Sequence, residues 1–407
     1  MRLLFVADGR SPIALNWISH FVDSGYEVHL ATTFPCEPAL KFASFTFIPL
    51  AFSGAKSEDT RGESRLCMRN IIAGASFVSL RTTIRQWFGP FTLNRASNSL
   101  QVIIDRVKPD LIHAMRIPYE GMLVSQTLNR VREARPQQNQ VPFLVSVWGN
   151  DFTLHGKSTP LMSHYTKATL RIADALHTDC LRDQWLAYEW GFPVENPAIV
   201  LPGGGGVNLD VFSPPDRSSK MDKGLMTVIN PRGVRAYIRN DTFFQSAAIV
   251  LEMCPRVRFI CTGMEDDAQI ISMVNDLGIA SSVELLPKVP YSKMPELFKS
   301  AQVAVSPSTH DGTPNTLLEA MASGCFPIAG DIESLREWII PGENGLLVDP
   351  TDPNALSRAI LTALNDDDLR LKAGQYNRQL IADKASHKVV MKRAEGFYKS
   401  LVYRGNN

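Results

Sequence analysis

"VAVSPSTHDGTPNTLLEAMASGCFPIAG", residues 303–330, holds in one run a short apolar strand, a polar loop, an apolar helix and a second apolar strand. The strand "VAVSPS" (303–308) delivers the chain to the loop 309–313. Thr313 then stands where an N-cap belongs, and Pro314 at the first helical position, where its missing N–H costs nothing. Leu317, Leu318 and Met321 anchor the helix to a core, Gly324 supplies the residue just past its end, and "CFPIAG" (325–330) returns as a strand. A strand, a helix and a strand in immediate succession imply a parallel pair covered by its crossover helix.

Working outward, the same rhythm fills the chain. Strands are expected at 225–230, 257–263, 283–287, 303–308, 325–330 and 345–348 in the second half, and at 3–7, 27–31, 45–50, 111–114, 143–148 and 198–202 in the first. Helix-length amphipathic segments lie between them. Near-continuous apolar strands alternating with helices predict an α/β protein with two doubly wound parallel sheets. The 407 residues suit two domains of about 150–200 residues. "LPGGGGVNLDVFSPPDRSSKMDKG" (201–224), rich in Gly, Pro, Ser and charge, is the linker, and the domains are expected at 1–208 and 209–385, with a last amphipathic helix in 386–407. Ligands of such sheets bind beyond the carboxyl ends of the strands, so the crevice between domains is the expected site.

The totals exclude several classes. With 44% hydrophobic and 20% charged residues and a net charge of +1, nothing global points to nucleic acid or another polyanion. The six cysteines are scattered without a C-x-x-C pair, as reduced thiols of a cytoplasmic protein are. The N-terminal apolar run ends at Asp8, too short for a secretory h-region, and no apolar run is long enough to span a bilayer. One segment departs from the rhythm: 64–104 carries Arg65, Arg69, Arg81, Arg85 and Arg95, no acidic residue, and Trp87, Phe88 and Phe91 together. It suits peripheral contact with an anionic inner membrane face or a lipid-linked substrate; a partly buried helix pair with a solvated basic face is the alternative.

The loop 309–313 carries the chemistry. If Pro314 opens the helix, the amides of Asn315, Thr316 and Leu317 lack intrahelical acceptors, and Gly312 lets a ligand approach the backbone. Free N–H groups at the positive end of a helix dipole bind phosphate. Asp311 lies ahead of that site and Glu319 is set back beside it, able to accept hydrogen bonds from vicinal hydroxyls. A capped core helix with an incidental glutamate is the plainer alternative. A second cluster, "NPRGVRAYIRND" (230–241), places Arg232, Arg235 and Arg239 at another carboxyl-edge loop. Guanidinium groups there suit a diphosphate, which they bind in a bidentate way; a surface arginine cluster is the alternative.

"SPSTHDGTPNTLLEAMASGCFPIAG" followed by "GENGLLVDPTDPNAL" resembles the donor-site signature of the retaining GT-B-fold glycosyltransferases of family 4, in which two acidic residues separated by seven others flank a Gly-x-Pro loop. Asp311 and Glu319 have that separation, with Asp in place of the commoner Glu at the first position. "CTGMEDD", "VELLPKV" and the interdomain "LPGGGGVNLDVFSP" extend the resemblance, which is weaker in the first half. It implies two Rossmann-like domains facing a central cleft, with the last helix crossing back to the first. It further implies that Arg232 and Arg239, with Arg235 as competitor, hold the donor diphosphate, that Glu319 holds the ribose and Asp311 the donor sugar, and that Lys288 and Val289 line the base. In the first domain "DGRSP" (8–12) resembles the glycine loop, with Gly9 approaching the donor. His113 and Asp151, at strand ends, are the candidates for the reaction centre, either of which is equally well a structural hydrogen-bonder; Met115 and Trp148 stand where many members have histidine.

The expectation is therefore a retaining, metal-independent glycosyltransferase using a UDP-, GDP- or ADP-sugar, with no other cofactor, and a carbohydrate or lipid-linked hydroxyl acceptor in cell-envelope polysaccharide or glycolipid synthesis. No D-x-D motif falls in a cleft loop; "DDD" (366–368) follows a late helix. A nucleotide-sugar epimerase or hydrolase of the same fold, or a non-catalytic nucleotide-sugar-binding subunit, are the alternatives.

Overall fold

The computed structural model describes residues 1–51, 53, 85–134, 140–215 and 225–404. Among the described residues thirteen strands form two sheets. The first holds β1 (Arg2–Ala7), β2 (Glu27–Thr32), β3 (Ser44–Phe47), β4 (Leu111–Ala114), β5 (Phe143–Val147), β6 (Ala175–Thr178) and β7 (Ala198–Val200). The second holds β8 (Met226–Asn230), β9 (Val257–Thr262), β10 (Val283–Leu286), β11 (Val303–Ser306), β12 (Phe326–Gly330) and β13 (Leu346–Val348). Their orders are β3-β2-β1-β4-β5-β6-β7 and β10-β9-β8-β11-β12-β13, and every pairing is parallel. Strand β6, "ALHT", was not among the expected strands. Its four residues include His177 and Thr178 and offer no apolar run, yet all four are buried.

Each sheet reverses direction once, between β1 and β4 in the first and between β8 and β11 in the second. At these points the connecting helices leave for opposite faces, and the loops after the two neighbouring strands diverge, opening a crevice at their carboxyl ends.

The second sheet shows why helices cover both faces. Val228, Phe259, Val303, Val305 and Ile328 pack with Phe243, Phe244, Leu356 and Ile360 on one side. Their neighbours Ile229, Ile260, Ala304 and Ala329 pack with Phe298, Leu317, Leu318 and Met321 on the other. Alternate residues of one strand thus enter two different cores, which demands apolar residues at every position.

The chain divides into two compact units, one of Met1–Asp179, Asp183–Gly204 and Ala394–Asn407, the other of Cys180–Arg182 and Gly205–Arg393. The boundary thus falls at Gly204 and Gly205, just ahead of the expected 208. The last helix, His387–Arg404, begins in the second unit and from Ala394 on belongs to the first, where Trp17 Nε1 donates to Tyr398 Oη at 2.9 Å. Arg65, Arg69 and Arg81 of the basic segment lie outside the described residues. Trp87, Phe88 and Phe91 are exposed. No helix among the described residues is long and apolar enough to cross a membrane.

Candidate functional site

In the second unit the loop after β8 carries Arg232 and the loop after β11 carries Asp311, so both sit at the switch point of that sheet. Backbone contacts join the loops. Ile238 bridges Ser308 in antiparallel fashion, Thr309 N donates to Tyr237 O at 2.9 Å, and Arg239 N to Pro307 O at 3.0 Å. The Arg232 turn is shaped by two buried asparagines: Asn230 Oδ1 accepts from Arg232 N (3.1 Å), Asn230 Nδ2 donates to Asn240 Oδ1 (3.1 Å), and Asn240 Nδ2 donates to Gly233 O (3.1 Å). The Asp311 turn is held from below, where Ser334 Oγ donates to Asp311 O at 2.8 Å and Trp338 Nε1 to Thr313 Oγ1 at 3.0 Å. Gly330 must lack a side chain, because a Cβ there would stand 2.2 Å from Ser308 O. None of Asn230, Asn240, Gly330, Ser334 or Trp338 was singled out from the sequence; their partners are remote in the chain or belong to a loop whose shape the sequence does not reveal.

Within this frame Arg232, only 9% exposed, donates from Nη1 to Thr316 Oγ1 at 3.0 Å and from Nη2 to Asp311 Oδ2. Asp311 Oδ2 also accepts from Ser308 Oγ at 3.4 Å, and Oδ1 from Gly312 N at 3.2 Å. Both oxygens of Asp311 are thus engaged inside the unit, Oδ2 by Arg232 and Ser308 and Oδ1 by the amide of Gly312. The helix starts at Asn315, one residue later than expected. Pro314 occupies the N-cap position with an extended backbone (φ −69°, ψ 124°), and no side chain caps it. Pro314 O takes the Leu317 amide at 3.0 Å, which removes Leu317 from the expected free donors. The amides of Asn315 and Thr316 have no acceptor among the described residues. Glu319, 5% exposed, has its pKa raised to about 7 by burial, against the opposing pull of Arg232.

The other predicted donor residues are less closely gathered. Arg239 forms a two-point ion pair with Asp241 (Nε–Oδ1 2.8 Å, Nη2–Oδ2 2.6 Å), and Arg235 is exposed, with Nη1 on Tyr237 Oη at 2.9 Å. Lys288 is exposed beyond β10 while Val289 packs partly into the core beside Phe298 and Leu317.

In the first unit a cavity of about 350 Å³ lies at the other switch point, walled by the loops after β1 and β4 with help from the loops after β2 and β5. Three residues expected to act there do something else. His113 is 1% exposed, with Nδ1 on Tyr398 Oη and Nε2 on Ser146 Oγ at 2.7 Å; burial pushes its pKa well down, so it is a neutral core residue rather than a group at the reaction centre. Asp151 is fully buried, gripping Arg116 (Nε–Oδ1 3.0 Å, Nη2–Oδ1 2.9 Å) and accepting from the amides of Trp148 (3.1 Å) and Ile117 (3.4 Å), which leaves no oxygen for an acceptor hydroxyl. The amide of Gly9 donates to Thr32 Oγ1 at 3.0 Å, and a Cβ at Gly9 would stand 2.7 Å from Cys36 Sγ, so its smallness serves packing rather than a ligand's approach.

Met115 and Trp148 line the cavity, as does His155, whose pKa is lowered to about 4, chiefly by burial and then by Arg116. Tyr119 adopts φ +71°, ψ −56°, a conformation a side chain resists. It is held there by a hydrogen bond from its hydroxyl to Arg85 O at 2.8 Å.

Two parallel α/β units, each with charged loops at its switch point, define the class: a GT-B fold. The chain belongs to the GT-B glycosyltransferases, matching the family of glycosyl transferase 4-like domains over residues 2–179 and the glycosyl transferases group 1 over residues 234–380. It is 30% identical over 165 residues to a D-inositol 3-phosphate glycosyltransferase of Corynebacterium urealyticum, covering 39% of each chain. It is 34% identical over 109 residues to O-antigen chain mannosyltransferase B of Escherichia coli, covering 26% of this chain and 28% of that one. The chain therefore spans well under half the length of these two relatives. In fold it is similar to sucrose-phosphate synthase of Thermosynechococcus elongatus (TM-score 0.73, 16% identity, 99% and 100% of the two chains covered). It is likewise similar to the Anabaena protein HepE solved with UDP (TM-score 0.68, 13% identity, 98% and 100% covered).

Proposed function

We propose that the chain is a retaining, metal-independent glycosyltransferase that moves a sugar from a nucleotide-diphosphate sugar to a hydroxyl of a carbohydrate or lipid-linked acceptor, in cell-envelope polysaccharide or glycolipid synthesis. The observation that carries the donor assignment is the buried Arg232, held by Asp311 and Thr316 beside the open amides of Asn315 and Thr316. As the glycosidic bond lengthens, negative charge grows on the departing phosphate oxygen, and a fixed guanidinium with two amide donors stabilises it without reorganising. Glu319, set back behind these donors, is assigned to the ribose hydroxyls. Asp311 acts as a positioning residue that keeps the Arg232 fork in place. The nucleoside diphosphate bound by HepE supports a UDP-sugar as the first donor to test, with GDP- and ADP-sugars beside it.

Calorimetric titration of UDP, GDP and ADP into the protein and into Arg232→Ala tests the assignment. Loss of a charge-assisted contact of about 1.5–3 kcal/mol weakens the preferred nucleotide about tenfold or more; unchanged affinity for all three removes the diphosphate from this site. Incubation of the matching nucleotide sugar without acceptor separates transfer from epimerisation or hydrolysis, and the anomeric configuration of the product by NMR decides retention.

A further inference from the structure

The segment that holds the Asp311 loop from below has a second grip, on a part of the chain remote in sequence from the donor residues. Ser334, in the short helix Glu333–Arg336, and Trp338, in the turn that ends it, bond Asp311 O and Thr313 Oγ1. Glu337, between them, accepts the amide of Leu181 on Oε2 at 3.0 Å and that of Arg182 on Oε1 at 3.3 Å. Leu181 and Arg182 open the helix Leu181–Glu189, so one carboxylate takes two amides at its positive end from 156 and 155 residues away in the chain. Bonds of this kind are charge-assisted, and the helix dipole favours them further.

The cap lies where the chain changes unit. Strand β6 ends at Thr178 in the first unit, the chain belongs to the second unit for Cys180–Arg182 alone, and from Asp183 the same helix belongs to the first again. The Glu337 bonds therefore fall within the second unit and hold residues that the chain lends to it. Leu181 is half exposed, so its place is kept by this bond more than by burial of its side chain.

The two grips are rigidly joined. Leu335 and Ile339 are buried in the core beside Leu317 and Leu318. The amides of Trp338 and Ile339 both donate to Leu335 O, at 3.1 and 3.0 Å, and the buried Asn344 donates from Nδ2 to Trp338 O at 2.9 Å. Residues 334–338 thus move as one piece, and a shift of the Asp311 loop is passed on to the amides that Glu337 holds.

We propose that Glu337 is a positioning residue of the donor site: by capping Leu181 and Arg182 it fixes 334–338, which holds the loop of Asp311 and Thr313, so that a bound nucleotide and the cap strengthen each other. This role rests on the donor assignment made above. Linkage is reciprocal: whatever factor the cap adds to nucleotide affinity, the nucleotide adds to the cap.

Amide hydrogen exchange of the full chain, resolved by NMR and measured with and without saturating UDP, GDP or ADP, whichever binds, reads the cap directly. The Leu181 and Arg182 amides should exchange about fivefold or more slowly with nucleotide bound. The amides of Asn354 and Ala355, which Asp352 caps at 2.8 and 3.1 Å in the same unit, are the control and should not change. By calorimetry Glu337→Ala should weaken the nucleotide by about the same factor, and Glu337→Gln, which keeps one acceptor oxygen, by less. The exchange test needs only the wild-type chain, and the glutamine variant supplies the affinity if the alanine variant fails to fold. A cap that serves the fold alone would lower the melting temperature of Glu337→Ala and leave nucleotide affinity and wild-type exchange unchanged; that result overturns the proposal, as does equal slowing of the control amides. Nucleotide binding that Arg232→Ala weakens, without protection at Leu181 and Arg182, strikes the role of Glu337 and leaves the donor assignment standing. No binding of any of the three nucleotides strikes both.

Discussion

Glu319→Gln should make the second unit more stable, and by an amount that depends on pH. Glu319 is 5% exposed, and burial raises its pKa from 4.5 to about 7. The folded state therefore holds a proton that the unfolded chain releases between these values. Stability falls as pH rises from about 4.5 and stops falling above about 7, because an acid with a raised folded pKa is favoured only while protonated. A shift of roughly 2.5 units at about 1.4 kcal/mol each gives a penalty near 3 kcal/mol at pH 8 and under about 1 kcal/mol at pH 5. Glutamine mimics the neutral acid, so the variant should exceed the wild type by about those amounts. Native-state hydrogen exchange of the Leu318–Ala322 amides reads the opening of the second unit, and comparing the two proteins at each pH cancels the intrinsic exchange rates. A stability gap that stays the same from pH 5 to pH 8 would refute the reasoning. Such a group is tolerated at a functional site, where strain and unmet charge await a ligand; UDP affinity of the variant should accordingly fall as its stability rises.

Three further outcomes test the frame around the sites. Asp151→Asn leaves Arg116 without its counter-ion in a largely buried place and should cost about 3 kcal/mol, seen as a lowered melting temperature; an unchanged melting temperature with activity lost would restore Asp151 as a base. Gly330→Ala places a Cβ 2.2 Å from Ser308 O, so the loop carrying Asp311 must shift; overpacking of about 1–3 kcal/mol should weaken UDP binding several-fold, and an unaltered Kd counts against the loop's role. His113→Leu strips partners from the Tyr398 hydroxyl and Ser146 Oγ and should cost about 1–3 kcal/mol of stability while UDP affinity stays the same. Loss of UDP affinity at an unchanged melting temperature would return His113 to the site.

The parts of the fold that the sequence makes plain are those set by local chemistry. The β11–helix–β12 unit follows from apolar runs broken by Gly312, Pro314 and Gly324, and it locates Asp311 and Glu319 on the correct sides of a helix start. Strand β6 escapes because "ALHT" is stabilised by what surrounds it: His177 Nδ1 meets Ser146 Oγ at 2.8 Å and its Nε2 meets Leu201 O at 2.9 Å. His113 misleads for the same reason. A histidine at a strand end looks alike in sequence whether it faces a ligand or, as here, a tyrosine from the last helix of the chain. Thr313 looks like a cap until Trp338 claims its hydroxyl. In each case the deciding partner is far away along the chain, and periodicity carries no information about it.

The two switch points share a construction that reverses the initial reading of their acids. In the second unit Arg232, from the loop after β8, is gripped by Asp311 from the loop after the adjacent strand β11. In the first, Arg116, from the loop after β4, is gripped by Asp151 from the loop after the adjacent strand β5. Each carboxylate also accepts backbone amides of its own loop, so one buried acid sets both the loop and the neighbouring guanidinium. A long arginine side chain left alone loses much rotamer freedom on meeting a ligand; one already fixed by a carboxylate has lost it on folding. The acids of these crevices are therefore best understood as holding cations ready, and the groups left with unmet capacity are others. In the second unit these include the amides of Asn315 and Thr316 and Arg232 Nε, beside the buried Glu319 with its raised pKa; in the first, Arg85 Nε and Trp148 Nε1. Unmet capacity in a buried place is costly to keep, and under the function proposed above that cost, more than charge or position at a strand end, makes these groups the first to substitute in a test of ligand binding.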